Sequence, residues 1–205
     1  MIYDIQTLKN KYKDYANINQ KIALDCKNGK LTRIKRGLYT DDIKKDALII
    51  SNVCYGPSYL SFEYALSYYG LIPEYVSAYT SATYSKKNTK IYQTEKACFI
   101  YRSIPKNIFA QGVVFLKNEN DIRYKIASKE KALCDLLYSM YPVRSIKDLK
   151  VMLFDDLRID EEEFKKLDFS FIKTIANDYH SNTLYILVKY IDEEMNKNAA
   201  NWRND

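Results

Sequence analysis

Residues 31–39 read Leu-Thr-Arg-Ile-Lys-Arg-Gly-Leu-Tyr, and this stretch constrains the fold more than any other. Thr32 and Ile34 share one face of a strand, Arg33 and Lys35 take the other, and Gly37 permits a tight reversal into Leu38-Tyr39. The pattern predicts a hairpin with a basic tip, Lys35-Arg36-Gly37. Two short helices are expected before it. Asp4 caps one, with Ile5, Leu8 and Tyr12 at helical spacing. Asn17-Ile18-Asn19 opens the other, with Ile18, Ile22, Ala23 and Cys26 on one face, and Asn28-Gly29 ends it. Helix, helix, hairpin is the order of a winged helix-turn-helix. Met1 to Tyr3 leave no room for a third helix ahead of Asp4.

Charge follows the same division. Met1 to Tyr39 hold nine Lys/Arg against three Asp/Glu, leaving 23 of each from chain totals of 32 and 26. A basic head on a neutral remainder suits a polyanion, and duplex DNA rewards it by releasing condensed counterions. In a helix-turn-helix the second helix places its N-terminal residues at base edges in the major groove. Asn and Gln pair there with adenine, Lys and Arg with guanine. The candidate DNA-binding residues are therefore Lys9, Asn17, Asn19, Gln20, Lys21, Lys27, Lys30, Arg33, Lys35 and Arg36.

Asp41 to Asp46 reads as a charged connector, dividing the chain into a head, residues 1–45, and a larger domain, residues 46–205. Ser58 is expected to cap a helix running to Tyr69, apolar on nearly every side and stopped by Gly70-Leu71-Ile72-Pro73. Ser77 to Tyr84, Lys90 to Tyr92, Cys98 to Arg102 and Val113 to Leu116 read as an antiparallel sheet of three or more strands. Helices opened by Ser128, Ser145, Asp160, Asp168 and Asn182 follow, and the polar tail from Asn196 is expected to fray. The predicted class is α+β: an N-terminal winged helix-turn-helix, then an antiparallel sheet and C-terminal helices.

Signs of catalysis are few. Cys26, Cys54, Cys98 and Cys134 never form a CxxC pair, and with His180 as the one histidine they read as reduced core thiols rather than zinc ligands. Ser128-Lys129-Glu130-Lys131 matches S-x-x-K, but its Ser-Asp-Asn and Lys-Thr-Gly partners are missing. The acids Asp155, Asp156 and Asp160 to Glu163 suit the positive end of a helix. Phosphate-cradling glycine patterns are absent. No enzyme activity, cofactor or metal is expected. Neither a signal peptide nor a membrane-length apolar run is present, so a cytoplasmic protein is expected.

Three stretches carry a family resemblance. The head ending at residues 31–39 resembles the wing of the AbiEi antitoxins of AbiE abortive-infection systems, classed as type IV toxin–antitoxin modules. Gly56-Pro57-Ser58-Tyr59-Leu60-Ser61-Phe62-Glu63-Tyr64-Ala65-Leu66, with Tyr69 to Pro73 and then Thr80 to Thr83, is similar to the signature of their larger domain. Ile126 to Asp135 is similar to their second signature, A-[ST]-x-E-K-A-[LI]-x-D. The resemblance implies a winged helix that binds inverted repeats upstream of its own operon and represses it. It also implies a larger domain that neutralises an AbiEii-type, nucleotidyltransferase-like toxin, without assuming stable binding. The alternative is a plain winged-helix transcription factor whose second domain binds a ligand or dimerises.

Overall fold

The computed structural model describes residues 1–119 and 121–201. The chain opens with β1 (Ile2–Asp4), α1 (Ile5–Lys11), α2 (Ile18–Lys27), β2 (Thr32–Lys35) and β3 (Leu38–Thr40). Both expected caps form: the Asp4 side chain accepts from Thr7 N–H and the Asn17 side chain from Gln20 N–H. Gly37 takes φ +83°, the left-handed conformation its hairpin turn needs. The three strands make an antiparallel sheet in the order β1-β3-β2. Tyr3, Leu8, Tyr12, Ile22, Leu31 and Tyr39 form its small core. Ala23, expected on the buried face of α2, is exposed, while Asp25 is buried.

Asp41 to Asp46 is not a connector. Asp42 caps α3 (Ile43–Val53), accepting from the N–H groups of Lys44 and Lys45, and the boundary expected after residue 45 falls inside this helix. Asp46 is buried and accepts a hydrogen bond from the Thr40 hydroxyl at 2.6 Å. Ile43, Ala47, Ile50 and Cys54 recur along one face of α3 and pack with Ile34 of the hairpin and Phe99 and Tyr101 of the body. Head and body therefore share a core through this helix.

The body comprises β4 (Tyr59–Leu60), α4 (Phe62–Tyr68), β5 (Tyr79–Tyr84), β6 (Lys90–Gln93), β7 (Cys98–Ile104), β8 (Val113–Lys117) and β9 (Arg123–Ala127). Then come α5 (Lys129–Ser139), α6 (Ile146–Lys150), α7 (Glu161–Lys165), α8 (Phe169–Ala176) and α9 (Asn182–Asn201). The sheet is six-stranded in the order β6-β7-β5-β4-β9-β8. It is mixed rather than antiparallel: β5 runs parallel to β7, and β4 parallel to β9. Antiparallel strands join through tight turns and parallel ones only through longer crossovers. The β6–β7 and β8–β9 hairpins obey the first rule, and the return of β7 beside β5 places β6 outside both.

Ser58 does not cap the following helix. Its hydroxyl donates to the carbonyls of Ser51 and Asn52, and Tyr59 and Leu60 join the sheet opposite Ala82 and Ser81. The helix starts three residues later than expected for this reason. Ser128, Ser145, Asp160 and Asp168 all cap as expected. α9 runs past Asn196 to Asn201, and the part of the expected frayed tail beyond that lies outside the described residues.

Candidate nucleic-acid interface

The head presents its candidate residues unequally. Asn19 and Gln20 stand exposed in the first turn of α2, the position from which a helix reaches base edges. Asn17 is exposed as well, but its side-chain oxygen is committed to Gln20 N–H at 3.0 Å. Lys9 on α1, Lys27 and Lys30 at the end of α2, and Arg33 and Arg36 on the hairpin are all exposed. Among the described residues none of these five cations is ion-paired. Arg33 also lines a hollow with Asn19, Ala23 and Cys26, so the hairpin and the outer side of α2 form one surface.

Two candidates turn inward. Lys21 pairs with Asp25 at 2.9 Å, one turn along α2, and Tyr12 donates to the same carboxylate at 2.7 Å. The Lys21 and Tyr12 hydrogen bonds hold the Asp25 carboxyl below its usual range, while burial and Asp25 push the Tyr12 hydroxyl up to about 12. Lys35 donates to the Cys54 carbonyl at the end of α3 instead of sharing the outward face of Arg33. The cause is a β-bulge: Arg33 faces Tyr39 and Lys35 faces Leu38, leaving Ile34 as the extra residue. Ile34 drops into the core shared with the body, and the strand's alternation is reset.

The body adds cations that its neutral sum conceals. Lys86, Lys87 and Lys90 lie in a run, residues 84–94, without a single acid. Tyr55 and Tyr92 pack with centroids 6.1 Å apart. Lys86 Nζ lies 5.1 Å from the Tyr55 ring, Lys90 Nζ 5.4 Å and Lys35 Nζ 6.0 Å from the Tyr92 ring. The β5–β6 turn thus joins the base of the β2–β3 hairpin in one basic, aromatic patch. The acid-free run was the available signal in sequence; its nearness to the β2–β3 hairpin was not.

Away from this surface, the two body stretches that carry the resemblance meet in a buried polar network. Lys131 and Asp135, both fully buried on α5, pair at 2.8 Å. Asp135 accepts from the hydroxyls of Tyr59 at 2.9 Å, Ser61 at 2.7 Å and Tyr179 at 2.6 Å. Lys131 also donates to Tyr179. Every charge has partners, as buried ions require. Burial, with the Asp135 charge, pushes both tyrosine hydroxyls well above their ordinary range. Gly112 packs so closely here that a Cβ would sit 2.9 Å from that of Lys131. The network braces the core, with Lys131 and Asp135 both shielded from solvent.

Among the described residues no cluster of three or more His, Cys, Asp or Glu is placed to hold a metal, and no helix is long and apolar enough to cross a membrane. Cys54 and Cys134 are buried and Cys26 and Cys98 half-buried, all as free thiols. Burial raises the pKa of each. No family model and no curated protein matches this chain.

Proposed function

We propose that this chain is a DNA-binding autorepressor and the antitoxin of an AbiE-type, type IV toxin–antitoxin operon. One observation carries the DNA-binding half. The exposed first turn of α2, with Asn19 and Gln20, shares the head with five exposed, unpaired cations, while the rest of the chain sums to zero charge. Two helices set between β1 and an antiparallel hairpin support the winged-helix reading. In that reading α2 enters the major groove and Arg36 at the hairpin tip meets phosphate. Lys86, Lys87 and Lys90 extend the phosphate-facing surface onto the body.

The antitoxin half rests on the resemblance. It is supported by the contact between the two body signatures, since Tyr59 and Ser61 of the first bond Asp135 of the second. Two experiments test the proposal separately. The full chain should repress a reporter driven by the DNA upstream of its own gene, and an Asn19→Ala/Gln20→Ala variant should not. Co-expression with the neighbouring reading frame should restore growth that this frame alone arrests. Repression that survives the double variant removes α2 from recognition; a neighbouring frame that is harmless, or toxic despite this chain, removes the antitoxin role.

A further inference from the structure

β8 is the outer strand of the six-stranded sheet, and its free edge is apolar. Among the described residues it pairs with β9 alone, in a register running from Val113↔Ala127 to Lys117↔Arg123. Bonds at the two ends of the ladder fix where each amide points. Ser128 N–H donates to the Gly112 carbonyl at 2.7 Å, and Asn118 N–H to the Ile122 carbonyl at 3.0 Å. In an antiparallel ladder the residues that bond the neighbouring strand alternate. Gly112, Val114, Leu116 and Asn118 therefore bond inward, and the N–H and C=O of Val113, Phe115 and Lys117 point out of the sheet.

Proteins usually cover, bend or charge such an edge. β6, at the opposite side, begins with Lys90 and lies beside β2 of the head. β8 has no such protection before Lys117, and Phe115 is 69% exposed. We infer that β8 pairs with β8 of a second copy of this chain, antiparallel and centred on Phe115.

The strand is self-complementary in that register. Phe115 faces Phe115 of the second copy and Val113 faces Lys117, so outward donors meet outward acceptors about a two-fold axis. Lys117 meets an apolar residue rather than its own like charge. The surrounding hairpin carries both signs, Lys117, Arg123 and Lys125 against Glu119 and Asp121, so each copy brings a net charge of only +1 to the approach. Registers centred on Val114 or Leu116 also set outward residues opposite one another, but they leave Lys117 or Val113 without a partner in β8, whereas the register centred on Phe115 pairs all three. So short a ladder buries far less than the roughly 1,600 Å² of a standard interface, and the dimer is accordingly weak. The inference stands apart from the DNA-binding reading and survives its failure.

Sedimentation equilibrium of the full chain from low to high micromolar concentration, with amide hydrogen exchange at both extremes, tests this. The average mass should rise from 24.1 kDa toward twice that value. The amides of Val113, Phe115 and Lys117 should exchange about tenfold more slowly at the high concentration, while those of Val114 and Leu116 stay unchanged. Phe115→Pro removes the central outward N–H without breaking a bond to β9, and should remain monomeric. Phe115→Asp sets two carboxylates opposite each other and gives the same reading should the proline variant not fold. A monomer at every concentration, a dimer whose three outward amides stay fast, or a dimer persisting in a folded Phe115 variant overturns the inference. Protection of those amides only after a different protein is added assigns the edge to that protein and overturns it equally.

Discussion

Among the described residues Asn19 and Gln20 make no side-chain hydrogen bond that would hold them back from a base edge, whereas Lys21, the next residue, is tied to Asp25. Asn19→Ala or Gln20→Ala should cost roughly 1–3 kcal/mol on the cognate site and nothing on unrelated duplex, measured by fluorescence anisotropy. Asp25 explains the restraint on Lys21 and has its own pH signature. Its folded pKa is lowered by Lys21 and then by Tyr12, so its contribution to stability is present above about pH 4 and is lost as pH falls through the folded value. Asp25→Asn should lower the thermal midpoint at neutral pH, and the gap from the parent protein should narrow as pH falls through the folded value, read by circular dichroism. Asp135→Asn strips Lys131 of the carboxylate it pairs with and should destabilise the chain by about 3–5 kcal/mol in urea unfolding. Cap residues were legible because capping is local: Asp4, Asn17, Ser128 and Asp168 bond amides three residues on. The inward turn of Lys35 was not, because its acceptor on Cys54 lies nineteen residues away.

At the scale of elements, periodicity told helices from strands where one face alone is buried. α1, α2 and β7 were legible on that ground, while β5, buried on both faces, was legible from its run of β-branched and aromatic residues. α3 was missed although its signal is present: Asp42 as cap, then Ile43, Ala47, Ile50 and Cys54 along one face. The charges of residues 41–46 drew the reading toward a connector. β4 was hidden for a different reason. Tyr59 and Leu60 continue an apolar run into α4, and strand pairing with Ser81, Ala82 and Ile126, partners supplied by distant chain, is what breaks the helix there. No local pattern distinguishes a two-residue strand from a helical turn when both are fully buried. The parallel pairings of β5 with β7 and β4 with β9 are likewise tertiary facts.

Across the whole molecule, the charge split was plain in the sequence but its consequence was drawn too sharply. The body contributes Lys86, Lys87 and Lys90 beside the β2–β3 hairpin, and α3 joins head to body through a common core. A fragment beginning at Asp46 discards Ile43 and the Asp42 cap, uncovering Phe99 and Tyr101; one beginning at Asp41 keeps α3 intact. The longer fragment should stay soluble and fold, and the shorter should aggregate or melt well below it, as read by light scattering and thermal unfolding. Neither should bind the cognate site, since both lack α2.

The most direct test of the central claim is the salt dependence of binding by the full chain to duplex from upstream of its own gene. Affinity should fall linearly with salt on logarithmic axes, as counterion release requires. Arg36→Ala, which removes an exposed and unpaired cation, should reduce the slope by about one on cognate and unrelated duplex alike. Lys35→Ala should change the slope less, because that amine already serves the Cys54 carbonyl. Binding insensitive to salt, or a slope that Arg36→Ala leaves unchanged while Lys35→Ala reduces it, would contradict the account.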